Sequence, residues 1–238
     1  MTRRPEAAPR APLSRDRVLR AAVELADGVG IEALSMRRLA QELGVVPMAL
    51  YKHVANKEQL LDGMVEAVVG EIDPPAHGSD WQGAVRQRIL SARAALLGHS
   101  WAAQVIRSRS GPTPAVLAYL DSVIGMFRAG GLSVDLTHHV MHALGSRVLG
   151  FTQEVFDAAP DPDPAGPAAM PPEAAAAYPH VAELAGAAAH DGESVLGGGC
   201  DDQFEFEFAL DLLLDGFERL RGQGWTSGAR RAGGDPIA

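Results

Sequence analysis

The stretch GIEALSMRRLAQELGVVPMALYKHVANKEQLLDGM, residues 30–64, decides the fold. Ser35 stands as an N-cap before MRRLAQEL, Gly44 ends that helix, and a short segment, VVPMALYKHV, comes after a connection of only a few residues. Pro47 has no N–H to donate and is tolerated only in the first turn of a helix, so the third helix must start near Val46. Upstream, Leu19, Ala22, Val23 and Ala26 recur at helical spacing, with Ser14 as N-cap and Gly28 and Gly30 as stop signals. That spacing predicts a helix over roughly residues 14–28. Downstream, Asn56 caps a fourth helix, KEQLLDGMVEAVVGEI, whose Leu61, Met64, Val65, Val68 and Ile72 form one apolar stripe. Three short helices with a glycine turn between the second and third fit the helix-turn-helix plan, in which the third presents its N-terminal residues to the DNA major groove. Helical hairpins with such a turn also occur in proteins that never meet DNA, so spacing alone leaves the function open.

Charge narrows it. The chain of 238 residues carries a formal net charge of −9, yet residues 1–60 hold ten Lys and Arg against seven Asp and Glu, while the remainder holds eleven against twenty-three. A basic head on an acidic body contacts phosphates locally and is repelled from random polyanions elsewhere. The single cysteine, Cys200, excludes an internal disulfide framework and a cysteine-based zinc site. The opening MTRRPEAAPRAP lacks the apolar core of a secretory signal, and no run of about 18 apolar residues occurs, so a soluble, cytoplasmic protein with no membrane partner is expected.

Beyond the head the pattern stays helical. DPPAHGSD, residues 73–80, reads as a linker. Trp81, Val85, Ile89, Ala92 and Leu96 mark one amphipathic helix, Leu117, Leu120, Ile124 and Phe127 a second, and Leu136, Val140, Leu144, Val148, Phe151 and Val155 a long third. The proline-rich run AAPDPDPAGPAAMPPE and the segment HDGESVLGGGCDD read as mobile loops, at about 157–175 and 190–201. FEFEFALDLLLDGFERLRG is ambiguous, since Phe204, Phe206 and Phe208 alternate as in a half-buried strand. A helix wins on length, because Phe206, Leu210, Leu213, Phe217 and Leu220 keep the helical repeat and no second strand pattern exists to pair with. Its second apolar face, Phe204, Phe208 and Leu212, predicts burial on two sides, by a helix of the same subunit and by another across a dimer interface. The expectation is an all-α chain with a disordered arm over residues 1–12, a DNA-binding head over 13–60, a body over 61–222 and a disordered tail over 223–238.

The run from Gly30 to Met64 resembles the tetracycline-repressor (TetR) family, through its glycine-rich exit from the first helix, its capped second helix with LA and LGV, its aromatic in LYKHV and its NKEQLL. The likeness continues more weakly through WQGAVRQRILSARAALLGH, GSRVLGFTQE and FEFALDLLLDGFERL, covering most of the chain. It implies an all-α homodimer, joined by an intersubunit four-helix bundle, that binds palindromic double-stranded operator DNA and releases it when a small-molecule inducer enters the body. Carried over by position, the DNA contacts fall on Ser35 and Arg37, on Pro47, Met48, Ala49, Tyr51, Lys52 and His53, and on Lys57. Arg37 has the fork that reads guanine O6 and N7, while Tyr51, His53 and Lys57 suit phosphate oxygens. Pro47, Met48 and Ala49 offer methyl contacts and shape readout instead of hydrogen bonds. His53 serves equally well as a helix cap, Tyr51 as a core ring and Arg38 as a solvated face residue. Trp101, Ile106, Leu120, Ile124, Met141 and Phe151 are candidates to line the inducer cavity, each equally suited to plain core, and Leu144, Val148, Phe206, Leu210, Leu213 and Phe217 to form the dimer interface.

The resemblance has a gap. Asp73, Arg88, Ile106, Arg109 and Ser146 stand where tetracycline repressors carry drug- or metal-contacting polar groups, and Glu154 alone keeps that character, so a different, largely apolar or aromatic inducer is expected, with no metal and no cofactor. His138 and His142 lie one helical turn apart but lack a third ligand nearby. With no nucleophile elbow, phosphate-cradling glycine loop or HExxH, the chain is not expected to be an enzyme. A helical small-molecule-binding protein without sequence-specific DNA binding is the alternative.

Overall fold

The computed structural model describes residues 12–75, 80–148, 172–187 and 202–232, and every element among them is helical. The chain divides into a first compact unit, residues 1–79 with 87–126, and a second, residues 80–86 with 127–238.

In the first unit α1 (Arg15–Val29) is capped by Ser14, whose Oγ accepts from Arg17 N, and it ends at Gly30, held at φ 83°. A 3-10 turn (Ile31–Ala33) leads to α2 (Met36–Leu43), capped by Ser35 Oγ accepting from Arg38 N. Gly44, at φ 65°, takes the left-handed conformation that ends α2, and Val45 N donates back to Ala40 O while Gly44 N donates to Gln41 O. That double closure reverses the chain in two residues, which a residue with a Cβ resists. Pro47 then opens α3 (Pro47–Leu50) at its first position, and Asn56 Oδ1 caps α4 (Lys57–Gly70) through Gln59 N while Gln59 Oε1 reaches back to Ala55 N. Val18, Leu19, Ala22 and Ala26 of α1 pack with Leu60, Leu61, Met64, Val65 and Val68 of α4, and Leu39, Leu43 and Leu50 fill the space below. A Cβ on Gly63 would lie 2.6 Å from Leu19, so α1 and α4 approach closely there. The expected head boundary at residue 60 falls inside α4, whose buried face continues to Val68.

The rest of this unit comes from α5 (Trp81–Gly98) from Gln87 on, α6 (Ala102–Ser108) and α7 (Pro114–Ala129) as far as Met126. Polar tethers reach from them to α1 and α4. His99 Nδ1 lies 2.9 Å from Asp27 Oδ1 and its Nε2 3.1 Å from Glu71 Oε2, while Trp101 Nε1 donates to the same Asp27 at 2.6 Å. Ser91 Oγ accepts from Asp73 N at 2.8 Å, and Arg88 donates to the carbonyls of Ile72 and Asp73, so the exit of α4 is tied to α5.

In the second unit Trp81, at the start of α5, meets Phe127 at 5.7 Å, and Phe127 meets Phe217 edge-on at 6.3 Å. Gly130 leaves room for the indole, since a Cβ there would stand 2.4 Å from Trp81 Cγ. Around these rings pack α8 (Val134–Val148) and α11 (Asp202–Gly222), with α9 (Pro172–Ala177), α10 (Pro179–Ala187) and α12 (Ser227–Ala232) completing the described part. The ambiguous FEFEF run is the opening of α11, a helix of 21 residues. Phe206, Leu210, Leu214 and Phe217 are its buried face, with Leu136, Val140 and Leu144 of α8 buried in the same unit, and Arg86 grips Asp211 and Glu207.

Three expectations change here. The loop expected to reach residue 175 ends earlier, because residues 172–177 are helical, while residues 157–171 and 190–201 lie outside the described residues, as do 1–11. The tail expected to be disordered from 223 turns back instead: Gly224, at φ 62°, ends α11, and Ser227 donates from both N and Oγ to Asp135, opening α12. Third, the dimer candidates Leu144, Phe206, Leu210 and Phe217 are buried inside the protomer's own unit, Leu213 is half-buried beside the buried Leu214, and the side chain of Val148 is outside the described residues. The face α11 leaves exposed is Phe204, Phe208 and Leu212, because one helical stripe is consumed by α8 and the Trp81 cluster.

The His99 tether makes stability pH-dependent. Burial pulls the His99 pKa down, but hydrogen bonds and charges from Asp27 and Glu71 outweigh it, so the imidazole titrates above its ordinary 6.5. A raised folded-state pKa means that the stabilisation is complete below 6.5 and disappears as pH rises through the folded value. Urea unfolding is expected to show wild-type stability declining as pH rises above His99's ordinary 6.5, with His99→Gln flattening that decline; identical slopes for the two would show that His99 does not bridge the carboxylates.

Candidate nucleic-acid interface

The side chains singled out for DNA contact sit on two adjacent short helices and the first residue of a third. Ser35, Arg37, Pro47, Met48, Tyr51, Lys52 and Lys57 are exposed, and Ala49 and His53 are half-buried. Beneath them Leu39, Leu50 and Val54 are fully buried, so α2 and α3 are oriented by their inner faces and the outer faces are free to meet a ligand. Ser35, Arg37, Arg38, Gln41 and Glu42 surround a shallow polar recess of about 550 Å³. Arg38 and Gln41 therefore flank the same surface as Arg37. Their exposed position on a capped helix, one turn apart, is legible in sequence only once the inner face Leu39, Ala40 and Leu43 is known.

The leading turn of α3 is apolar and uncovered. Val46, its N-cap, is 67% exposed and Met48 is 71% exposed. Large apolar side chains standing together in solvent mark a contact surface, and thymine methyl groups in a major groove are a chemically suitable partner. Val46 is missed by sequence reasoning, which takes it as the boundary before Pro47; its signal is that an N-cap lacking a hydrogen-bonding side chain is a poor cap. Tyr51 closes α3 with its ring 44% exposed, which sets aside the core-ring reading. Lys57 occupies the first position of α4, where the helix dipole disfavours a cation by a few tenths of a kcal/mol or more. A positive charge placed there against the local electrostatics is readily explained by a phosphate partner.

How α4 is held matters to this surface, because Lys57 begins it. Arg109, the C-cap of α6 and only 12% exposed in its side chain, donates from Nε to Asp62 Oδ1 at 2.8 Å and from Nη1 to Glu58, both in the first turns of α4. Burial alone would lower its pKa, but those two carboxylates raise it, so the cation is permanent. Arg109 and Arg88, which stand where tetracycline repressors carry drug- or metal-contacting polar groups, are here engaged with α4 and the segment after it.

Among the cavity candidates of the first unit, Trp101 is buried and spends its indole N–H on Asp27, Ile106 and Leu120 are half-buried and Ile124 is exposed; Met141 is half-buried in the second unit, and Phe151 lies outside the described residues. In the second unit Leu136, His139, Val140, Ala143, Phe217, Leu220, Trp225 and Ser227 surround an apolar recess of about 340 Å³. His138 meets His139 and His142 edge-on, and His139 meets Trp225 edge-on at 5.3 Å. Cys200, Ser146 and Glu154 have no described side chain. No described helix is long and apolar enough to cross a membrane.

Comparison with known proteins agrees with this geometry. Residues 18–64 match the profile of bacterial regulatory proteins, tetR family, and residues 74–221 match the tetracyclin repressor-like C-terminal domain. The HTH-type transcriptional repressor DrrR1 of Streptomyces coeruleorubidus is 38% identical over 133 residues, 55% of this chain and 49% of that protein, so the chain spans about half the length of that relative. The class G tetracycline repressor of Vibrio anguillarum is 32% identical over 218 residues, 88% of this chain and 95% of that protein. Among solved structures, Streptomyces coelicolor ActR in complex with actinorhodin superposes with a TM-score of 0.67 at 28% identity, covering 89% of this chain and all of that one.

Arg37 and Lys57 are expected to separate base reading from phosphate contact. Arg37→Ala should cost about 1–3 kcal/mol on a selected site and relax one base position, whereas Lys57→Ala should weaken all duplexes alike and lower the salt dependence by about one ion. Fluorescence anisotropy on cognate and scrambled duplexes checks this; an Arg37→Ala protein that binds its selected site undiminished refutes the assignment.

Proposed function

The chain belongs to the TetR family of bacterial regulatory proteins, and from that premise we propose that it is a homodimeric repressor that holds a palindromic operator and releases it when a small molecule binds its helical body. The observation that carries this reading is the exposed leading turn of α3, apolar at Val46 and Met48 and flanked by Arg37, Lys52 and Lys57. Ser35, Pro47, Ala49, Tyr51 and His53 complete the proposed contact set.

The release step rests on how the head is held. In a dimer the two α3 helices must sit about one helical turn of DNA apart, roughly 34–36 Å. Each α3 is continuous through a few residues with α4, and α4 is gripped at its start by Arg109 and at its exit by His99, Arg88 and Ser91. A ligand that shifts the α5–α6 region moves these grips and therefore α4, changing the separation of the two recognition turns. A differential affinity of about 1–3 kcal/mol between the two states is enough, the usual range for such coupling.

The dimer contact is assigned to the exposed α11 face, Phe204, Phe208 and Leu212, packing against its twin, in place of the buried Phe206 stripe. The inducer is a small molecule other than a tetracycline–magnesium chelate, since Ile106 brings no metal ligand and Arg109 is committed to Glu58 and Asp62.

Selection of bound duplexes from a random pool tests the whole reading. The expected result is an inverted repeat whose half-sites are centred about one helical turn apart, with Phe208→Glu giving a monomer that enriches nothing. A single unrepeated site, or no enrichment at moderate salt, contradicts it.

A further inference from the structure

Arg88 is a cation short of partners. Its Nη1 donates to the carbonyls of Ile72 and Asp73, its guanidinium carbon lies 5.0 Å from the centre of the Tyr119 ring, and its Nε is buried with no acceptor. Among the described residues no carboxylate is paired with it, in contrast to Arg86 and Arg109, each of which grips two. One turn along α7 from Tyr119, the Oγ of Ser122 is also buried and also lacks a partner. Two unfilled buried polar groups on facing helices are unusual, because folded proteins pair nearly all such groups. Tyr119 adds no negative charge: burial pushes its phenol up to about 12, the Arg88 charge opposing this more weakly, so it remains a neutral ring at physiological pH.

An uncompensated guanidinium backed by an aromatic ring, with a hydroxyl nearby, is a receptor for an oxyanion, since charge-assisted hydrogen bonds to arginine are the strong ones and its planar fork matches a carboxylate. We infer that the ligand of the regulatory site is an acid, a carboxylate or acidic phenol on an apolar body, whose oxyanion is taken by the free Nε side of Arg88 with Ser122 as a second donor. This rests on the reading of the chain as a ligand-responsive regulator and names the ligand's chemistry within it. The same guanidinium plane that would hold the acid already holds the backbone of Ile72 and Asp73, to which Ser91 adds a bond at Asp73 N. The acid and the exit of α4 therefore share one rigid group, and an anion that draws Arg88 toward itself draws on the segment that positions α4.

Calorimetric titration of the free, full-length protein with 2-naphthoate and with its neutral isostere 2-naphthamide at neutral pH tests the inference without DNA. Wild type is expected to bind the carboxylate about tenfold or more tightly than the amide, the worth of one hydrogen bond to a charged partner. Arg88→Gln should level the two, and Arg88→Lys, which keeps the charge but not the fork, should retain part of the preference. The wild-type comparison needs no variant to fold. Equal binding of acid and amide, no binding of the acid at millimolar concentration, or a preference that survives Arg88→Gln overturns the inference. A parallel operator-binding assay keeps the two readings apart: acid preference without DNA binding sinks the repressor reading alone, and DNA binding without acid preference sinks this one alone.

Discussion

The seam between α1 and α4 is the contact on which the candidate interface depends. Leu60, Leu61, Met64, Val65 and Val68 are buried there against Val18, Leu19, Ala22 and Ala26. At about 1.5–3 kcal/mol for each fully buried large apolar side chain, these five α4 side chains together outweigh any single ion pair in the unit, each of which keeps a partner partly exposed to solvent. Burial, however, has no direction along the seam. What sets where α4 sits are the polar grips at its two ends, Arg109 on Glu58 and Asp62 at the start, and His99 on Glu71 with Arg88 and Ser91 on the adjoining backbone at the exit. Strong non-directional packing with weak directional grips suits the proposed release step, in which α4 remains folded while it shifts.

The recognition turn is economical in a different way. Pro47 fixes its start, Leu50 anchors its inner side, and the outer side exposes Val46 and Met48 without any hydrogen-bonding group. Under the proposed function such a surface would discriminate by methyl contact and groove shape, with bidentate reading proposed for Arg37 on the preceding helix and register for the flanking lysines and Tyr51. The acidic remainder of the chain, which carries more than twice as many Asp and Glu as Lys and Arg, confines attraction for DNA to that one end of the sequence.

Much of this is legible in the sequence, and the reason is local. Ser14, Ser35 and Asn56 cap helices through bonds to residues three positions on, Gly44 ends one through its own dihedral angles, and Pro47 opens one by what it lacks. None of these needs knowledge of a distant partner. The misreadings are of the opposite kind. On α11 two apolar stripes are offered, and periodicity cannot tell which meets the protomer's own α8 and which is left outward; it also slides between Leu213 and Leu214, since both continue a helical repeat from Leu210. The tail at Trp225 and Ser227 looks like an unstructured polar end until Asp135, 92 residues earlier, receives it. The commitments of Arg109 and Arg88 are hidden in the sequence because their partners, Asp62 and the carbonyls of Ile72 and Asp73, lie 47 and 15–16 residues away.

The central claim is that Arg109 positions α4 for DNA binding and does more than hold the unit together. A double-mutant cycle of Arg109→Met and Asp62→Asn, read in parallel as operator affinity and as unfolding free energy, tests it directly. The account predicts a coupling in operator affinity of about 1 kcal/mol or more, exceeding the coupling in stability, since the pair is partly solvated but, in the proposed dimer, the geometry it sets would be shared by both half-sites. Additive effects on operator affinity, or losses of affinity that only track losses of stability, would contradict it.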